Sequence, residues 1–216
     1  MRILELHAGS RSIGKAAEKL GHEVFSVDWQ PFEGINLVMD IEELKIKHLP
    51  WIPDMIWTAP DCTTYSIAAI SHHRNGVIPK SEYAIKCDAV NLNVLVLIKK
   101  CLEKNANLKW YIENPRGMMR KMAWMMGLPR ATVWYCRYGD DRAKPTDIWS
   151  NNLYSLFNSN GWNPRPQCHN DNEHCHHEKA PRGSKTGTQG LKGSYERSQY
   201  PEALCMEIIK ATEKSI

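Results

Sequence analysis

Residues 1–28 read MRILELHAGSRSIGKAAEKLGHEVFSVD, and this stretch decides the fold class. Ile3, Leu4 and Leu6 make a short apolar segment. It runs into the loop His7-Ala8-Gly9-Ser10-Arg11-Ser12-Ile13-Gly14 and then a helical pattern over Lys15–Leu20, with Gly21 well placed as the residue that ends the helix. Glu23–Asp28 is a β-rich run closing on an acid. Strand, loop, helix and strand in this order open a parallel α/β sheet, in which ligands bind at the carboxyl ends of the strands.

Working outward, the alternation continues. Asp40 follows Leu37-Val38-Met39, and Met55-Ile56-Trp57 reads as a buried strand leading to Thr58-Ala59-Pro60-Asp61-Cys62. A long helix is expected from about Ser81 to Glu103, with Ala84, Ile85, Ala89, Leu92, Val96 and Cys101 supplying its apolar faces. Trp110-Tyr111-Ile112 is a strand ending at Glu113-Asn114-Pro115, and two more strands are expected at Thr132–Arg137 and Thr146–Trp149. From Asn151 to Ser194 Gly, Pro, Asn, His and Ser dominate, which reads as loop or an irregular insert. A last helix starts at Pro201, a favoured first helical position, and carries Leu204, Ile208 and Ile209. The pattern predicts an α/β, doubly wound, Rossmann-like sheet. Its core spans 1–150, a small irregular insert 151–195, and a C-terminal helix over 196–216 returns to the core.

The chain has 216 residues, enough for one domain with a small appendage. Its longest purely apolar run, Val94–Ile98, is far short of the roughly 20 residues a membrane span needs. The N-terminal residues lack the apolar core of a secretory leader, and seven irregularly spaced cysteines argue for reduced thiols, a metal or a catalytic cysteine. The expectation is a cytoplasmic protein with no membrane association. A net charge of +4 suits a polyanionic partner without demonstrating one. Of eight tryptophans, Trp29, Trp51, Trp149 and Trp162 fall in polar, turn-rich stretches where a purely buried role is less automatic.

Two strand ends carry the chemistry. Cys62 lies directly after a hydrophobic strand among turn residues that keep it accessible, as a reactive thiol requires. Glu113 follows another strand, so its carboxylate should face the same edge; together they fit a nucleophile and an acid working on one substrate. An ordinary loop cysteine and a capping carboxylate fit the same pattern. At the first strand, Gly9 lets the backbone approach a ligand and Asp28 suits a ribose hydroxyl pair, but Arg11 and Ser12 break the G-x-G-x-x-G pattern, so a dinucleotide is not strongly supported. A turn glycine and a solvent-facing acid are the alternative.

The order of these segments resembles the DNA cytosine-5 methyltransferase family, particularly its short phage-type members. His7-Ala8-Gly9-Ser10-Arg11 corresponds to the family's Phe-x-Gly-x-Gly cofactor loop, and Pro60-Asp61-Cys62-Thr63-Thr64-Tyr65-Ser66 to its Pro-Pro-Cys-Gln-x-Phe-Ser loop. Glu113-Asn114-Pro115 corresponds to its Glu-Asn-Val motif, Tyr138-Gly139 with Arg142 and Lys144 to a later motif, and Arg197-Ser198-Gln199-Tyr200-Pro201 to its closing motif. The likeness covers most of the chain except about 151–180.

This resemblance implies methyl transfer from S-adenosylmethionine to C5 of cytosine in DNA, with Cys62 as nucleophile, Glu113 at ring N3, and Arg116 and Lys144 holding the target nucleotide, which is flipped from the duplex. It places His7, Ala8, Gly9, Ser10 and Arg11 near the methionine part of the cofactor, with Pro60 beside them. Asp28 would take the ribose, Trp29 the adenine face, and Asp40 and Ile41 the adenine edge. Arg11, standing where the family has glycine, would crowd the ligand or pair with its carboxylate. The family's Gln after the nucleophile is Thr63 here, and its Gln-x-Arg-x-Arg survives only as Arg142-Ala143-Lys144-Pro145-Thr146. A full target-recognition domain has no room. Sequence specificity is then relaxed, supplied by a partner or carried by 151–195.

DNA contacts are expected at Ser66 in the cysteine motif, at His72, His73 and Arg74 in a mobile loop from Ser71 to Gly76, and at Arg182 and Lys185 in a flexible basic stretch. The cysteine- and histidine-rich run from Cys168 to His177 offers a zinc site with Cys168, Cys175 and His176, needing Cys136 or another distant ligand to complete it; a polar loop is the alternative. Two other functions remain open. One is C5 modification of RNA or a nucleotide, and the other is a catalytically silent or partner-dependent nucleic-acid-binding protein of the same fold.

Overall fold

In the computed structural model, residues 1–169, His177 and 194–216 are described, the side chains of Ser194 and Arg197 excepted. The chain order is β1 (Arg2–Leu6), α1 (Ser12–Lys19), β2 (Glu23–Asp28), β3 (Leu37–Val38), β4 (Met55–Thr58), α2 (Ile70–His73), β5 (Arg74–Asn75), β6 (Ile78–Pro79), α3 (Glu82–Lys104), β7 (Lys109–Pro115), β8 (Arg130–Trp134), β9 (Pro145–Ser150), α4 (Ser194–Ser198) and α5 (Glu202–Glu213). Seven strands form one sheet in the order β3-β2-β1-β4-β7-β9-β8, and β5 and β6 make a separate small hairpin. Pairing is parallel from β3 across to β7, while β9 is antiparallel to both of its neighbours. This is a mostly parallel, Rossmann-like α/β sheet.

The central strands are apolar on both faces, as strands covered by helices on each side must be. The two-residue period sends Ile3, Met55, Trp57 and Tyr111 to one face, where Ile13, Ala16 and Ala17 of α1 meet Leu204, Cys205, Ile208 and Ile209 of α5. It sends Leu4, Leu6, Ile56, Trp110 and Ile112 to the other, against Cys87, Val94, Leu97, Ile98 and Cys101 of α3. Helix α3 begins at Ser81, whose hydroxyl accepts from the Ala84 N–H at 3.1 Å.

The chain moves outward from β1 to β3 and then returns to β4, so the topological switch point lies between β1 and β4. Leu6 and Thr58 are paired in that register, which sets the loops beginning at His7 and Ala59 side by side.

Several expectations are corrected. Ile85, Leu92 and Val96 point out of α3 into solvent, because helical spacing reserves its inner face for the Ala84, Cys87, Val94 and Cys101 row. The strand expected to reach Arg137 stops at Trp134; Tyr135–Tyr138 coil into a 3-10 turn ended by Gly139 at φ 88°. Pro201 caps α5 from outside rather than opening it. Residues 71–76 are not a plain loop but the end of α2 and the β5–β6 hairpin. Trp149 and Trp162 are buried, whereas Trp29 is 64% exposed.

Over residues 151–169 the chain is irregular, yet part of it belongs to the core. The Asn152 side chain donates to the Tyr111 hydroxyl at 2.8 Å, and the Trp162 ring meets Tyr111 edge-on. Among the described residues no helix is long and apolar enough to cross a membrane.

Candidate functional site

The cysteine loop leaves the carboxyl end of β4 and is braced from three sides. The Asp61 carboxylate accepts from the Thr63 N–H at 2.6 Å and the Tyr83 hydroxyl at 2.9 Å, setting the turn over Thr63–Tyr65. Gly117 presses against that turn so closely that a Cβ there would lie 2.5 Å from the Tyr65 carbonyl oxygen. From below, the Arg74 guanidinium donates to the Thr64 carbonyl at 2.9 Å and to Asp88 at 2.6 Å, and lies 4.3 Å from the Tyr65 ring centroid. Arg74 is therefore buried scaffolding. The expectation that it meets DNA is overturned, because its donors are committed to the loop that carries Cys62.

Beside this loop, β7 pairs Ile112 with Thr58, so the next residue, Glu113, emerges at the same edge as Cys62. Asn114 ties the two ends together, its amide donating to the Pro60 carbonyl at 3.0 Å. The buried Glu113 carboxylate accepts from the Tyr135 hydroxyl at 3.1 Å and the Tyr200 hydroxyl at 3.5 Å. Lys144 joins them, with Nζ 4.7 Å from the Tyr135 ring centroid and 5.9 Å from that of Tyr200. Its backbone is in the left-handed region at φ 27°, an uncommon state for lysine that marks a position held by its surroundings.

The electrostatics couple these groups. Burial pushes the half-buried Cys62 thiol up to about 11; the negative charges of Asp61 and Glu113 add to this, and Lys144 opposes it. Burial also raises Glu113 above the ordinary carboxylate value, against Lys144 and the two tyrosine hydroxyls. Lys144 in turn is lowered by burial, against the pull of Glu113. The cluster thus holds a neutral thiol beside a carboxyl group that keeps its proton more readily than one in water.

Arg116 stands apart: its side chain is exposed, and its backbone N–H donates to the Pro145 carbonyl at 2.9 Å. Arg142 is paired with Asp140 and also donates to the Gln199 carbonyl at 3.3 Å, so it ties the Lys144 turn to the segment carrying Tyr200.

A cavity of about 260 Å³ opens next to the cysteine loop, lined by His7, Trp29, Asp40, Ile41, Pro60 and Asp61 together with residues of α3. The exposed Trp29 ring forms part of its mouth. Asp40 reaches the Lys86 ammonium at 2.6 Å; burial works against its ionisation, but Lys86 prevails and holds the carboxyl below its ordinary value. His7 accepts or donates at 3.0 Å with the Thr58 hydroxyl, and burial lowers its imidazole to about 4, so it is neutral at physiological pH.

Asp28 is the anchor of the first loop, its carboxylate accepting from the Gly9 N–H at 3.0 Å and the Gln30 N–H at 2.9 Å. Ala8 and Ser10 lie in that loop and are buried. Arg11 does not crowd the cavity. Its guanidinium turns to the Ser26 hydroxyl at 3.0 Å and to Glu18, packed over Gly34.

Of the remaining sites named from sequence, Ser66 accepts from the Ala68 N–H, and His73 meets the Ser81 hydroxyl at 3.0 Å, packed on Tyr83, while His72 is exposed. Cys175, His176, Arg182 and Lys185 lie outside the described residues. Cys168 is described, and it stands with Cys136 and His177 rather than alone.

Sequence reading missed Tyr135 and Tyr200 as partners of Glu113, and Glu5 altogether. Buried Glu5 accepts from the Gly14 N–H at 3.1 Å and the Ser26 hydroxyl at 2.9 Å, and burial raises its carboxyl to about 7. An acid inside an otherwise apolar first strand was the available signal.

No protein-family model matches the chain, and no curated protein matches it. Among solved structures, the fold is similar to that of a prophage-encoded protein from E. coli designated a DNA modification methyltransferase, at 12% identity over 78% of this chain and 52% of that one, with a TM-score of 0.51. It is also similar to the Entamoeba histolytica methyltransferase EhMeth, at 13% identity over 78% of this chain and 57% of that one, with a TM-score of 0.54. At such identities the likeness is one of fold. The chain spans about half the length of these two proteins.

Proposed function

We propose that the chain is a methyltransferase that moves a methyl group from S-adenosylmethionine to C5 of cytosine in DNA, through a covalent bond between Cys62 and the base. The observation that carries this reading is the placement of the Cys62 thiol and the Glu113 carboxyl at the ends of neighbouring strands, coupled to each other and to Lys144. The cavity beside them is consistent with it. At about 260 Å³ it lies just under the usual range of about 300–1,000 Å³ for small-molecule pockets, enough for the adenine and ribose of a nucleoside ligand. Trp29 would stack on the base, Asp40 and Ile41 would meet its edge, and His7 and Pro60 would close the inner side. Asp28 and Gly9 shape the loop that the rest of the ligand would follow.

Cytosine C5 is too poor a nucleophile to react unaided. Cys62 gives up its proton to water, and the thiolate adds to C6; the electron pair of the C5–C6 double bond moves to C5 as the C6–S bond forms. Glu113 donates its proton to N3, or shares it there, and so neutralises charge developing in the ring. S-adenosylmethionine, when bound, supplies the sulfonium methyl that the C5 pair takes up. Water then takes the C5 proton, which restores the double bond and expels the Cys62 thiolate, and the N3 proton returns to Glu113. Lys144, beside both groups, offsets negative charge on sulfur and carboxylate. A base in a duplex must leave the stack to reach Cys62, at a cost of a few kcal/mol. On this reading exposed His72 and the basic stretch with Arg182 and Lys185 meet the DNA backbone.

The test is to incubate the protein with methyl-labelled S-adenosylmethionine and mixed-sequence DNA or RNA, and digest the product to nucleosides. Label is expected in 5-methyldeoxycytidine, falling by about 10³-fold or more in Cys62→Ala. Label in RNA alone would move the substrate. No label in either, with cofactor binding measured separately, would overturn the reading.

A further inference from the structure

Outside the Cys62 cavity, a second set of donor side chains meets where the irregular segment crosses the core. Cys136 lies in the 3-10 turn that also carries Tyr135, Cys168 comes after Trp162 on the irregular segment, and His177 follows it. Their ligand atoms all lie within 4.8 Å of one another. Cys168 Sγ and His177 Nδ1 stand 3.7 Å apart. In a tetrahedral zinc site with Zn–S near 2.3 Å and Zn–N near 2.05 Å, a sulfur and a nitrogen ligand are separated by about 3.6 Å and two sulfurs by about 3.8 Å. Cys168 and His177 are thus at ligand spacing, and the Cys136 sulfur lies within 4.8 Å of both. Both cysteines are buried, 6% and 7% exposed, in a small apolar shell with Trp134 and Ala143, while His177 is half-buried.

The way the chain brings them together does not depend on the donors themselves. Arg165 staples the segment in place: its N–H donates to the Tyr138 hydroxyl at 2.9 Å, its guanidinium to the Arg137 carbonyl at 2.6 Å, and it pairs with Glu207 of α5. The Arg165 guanidinium also lies 4.6 Å from the Tyr138 ring centroid. That staple sets the chain beside the Tyr135–Tyr138 turn three residues before Cys168.

We propose that Cys136, Cys168 and His177 bind a zinc ion that clamps the irregular segment to the turn carrying Tyr135. Two thiolates and an imidazole match the softness of zinc, and a water or one further donor completes the tetrahedron. Each thiol releases its proton to solvent as it binds, so affinity falls in acid. The consequence for the molecule is positional. Tyr135, next to Cys136, donates to Glu113, so the clamp would fix the irregular segment to the wall of the Glu113 cluster.

The test uses the full chain, purified without chelator from zinc-supplemented medium, and does not depend on methyl transfer. Elemental analysis is expected to give about one zinc per chain, retained in Cys62→Ser and lost in Cys136→Ser and Cys168→Ser. Should those variants fail to fold, the wild-type protein stripped of metal and titrated with cobalt is expected to show the thiolate-to-cobalt charge-transfer band. Absence of both zinc and the cobalt band would overturn the proposal. So would zinc retained in Cys136→Ser, or an intact mass lower by two hydrogens from a Cys136–Cys168 disulfide.

Discussion

At Cys62 the protein keeps a thiol that titrates near 11, raised first by burial and then by Asp61 and Glu113, with Lys144 pulling the other way. The signs give a direct prediction. Removing the Glu113 charge with Glu113→Gln lowers the Cys62 pKa and increases its thiolate fraction at pH 8; removing the Lys144 charge with Lys144→Met does the reverse. Since each tenfold change in thiolate corresponds to one pH unit, alkylation of Cys62 by iodoacetamide, followed by peptide mapping, should speed up about three- to tenfold in the first variant and slow comparably in the second. Equal rates in all three proteins would show that the groups are not coupled. Cys62 and Glu113 were legible in sequence because each ends a hydrophobic strand and strand ends share an edge. Tyr135 and Tyr200 were not. They reach Glu113 across 22 and 87 residues, from a turn that alternates like a strand and from the residue before the Pro201 cap of α5, and no local pattern announces such a meeting.

Strand β1 and the residue after it place two titratable groups, buried Glu5 and half-buried His7, with opposite effects on stability. Glu5, raised to about 7, stays protonated in the folded chain while the unfolded chain ionises above about 4.5, so its contribution is lost as pH rises through that window. His7, lowered to about 4, stays neutral in the folded chain while the unfolded chain takes up a proton below about 6.5, so its contribution is lost as pH falls. Each is worth at most about 3 kcal/mol, and they offset each other. Urea denaturation between pH 4.5 and 6.5 should separate them: relative to wild type, Glu5→Gln should lose stability on acidification and His7→Asn should gain it. Parallel pH dependence in both variants would contradict the assignment. The same strand shows why this half of the fold could be read from sequence. Strands β1, β4 and β7 are buried on both faces and give continuous apolar runs, whereas the two-residue strands β3, β5 and β6 have no period to detect, and α3, apolar on more than one side, hid which face is inward.

At the scale of the whole molecule, the seven-stranded sheet brings the carboxyl ends of β1, β4 and β7 together, and every group assigned to the proposed reaction lies along that edge or on the Lys144 and Tyr200 segments folded over it. The sheet was foreseeable from alternating strands and helices. The path after Ser150 was not, because its packing rests on single anchors such as Trp162 and Arg165 rather than on a repeating pattern. The central claim is that Cys62 bonds to a pyrimidine C6 in the course of methyl transfer. DNA carrying 5-fluorocytosine tests it most directly, because fluorine in place of the C5 hydrogen cannot leave as a proton and the bond to sulfur persists. With S-adenosylmethionine present, the account predicts a protein–DNA species that survives denaturation, with the adduct mapped to the Cys62 peptide and absent from Cys62→Ala. Methylation of ordinary DNA without such a species, or an adduct on another cysteine, would contradict it.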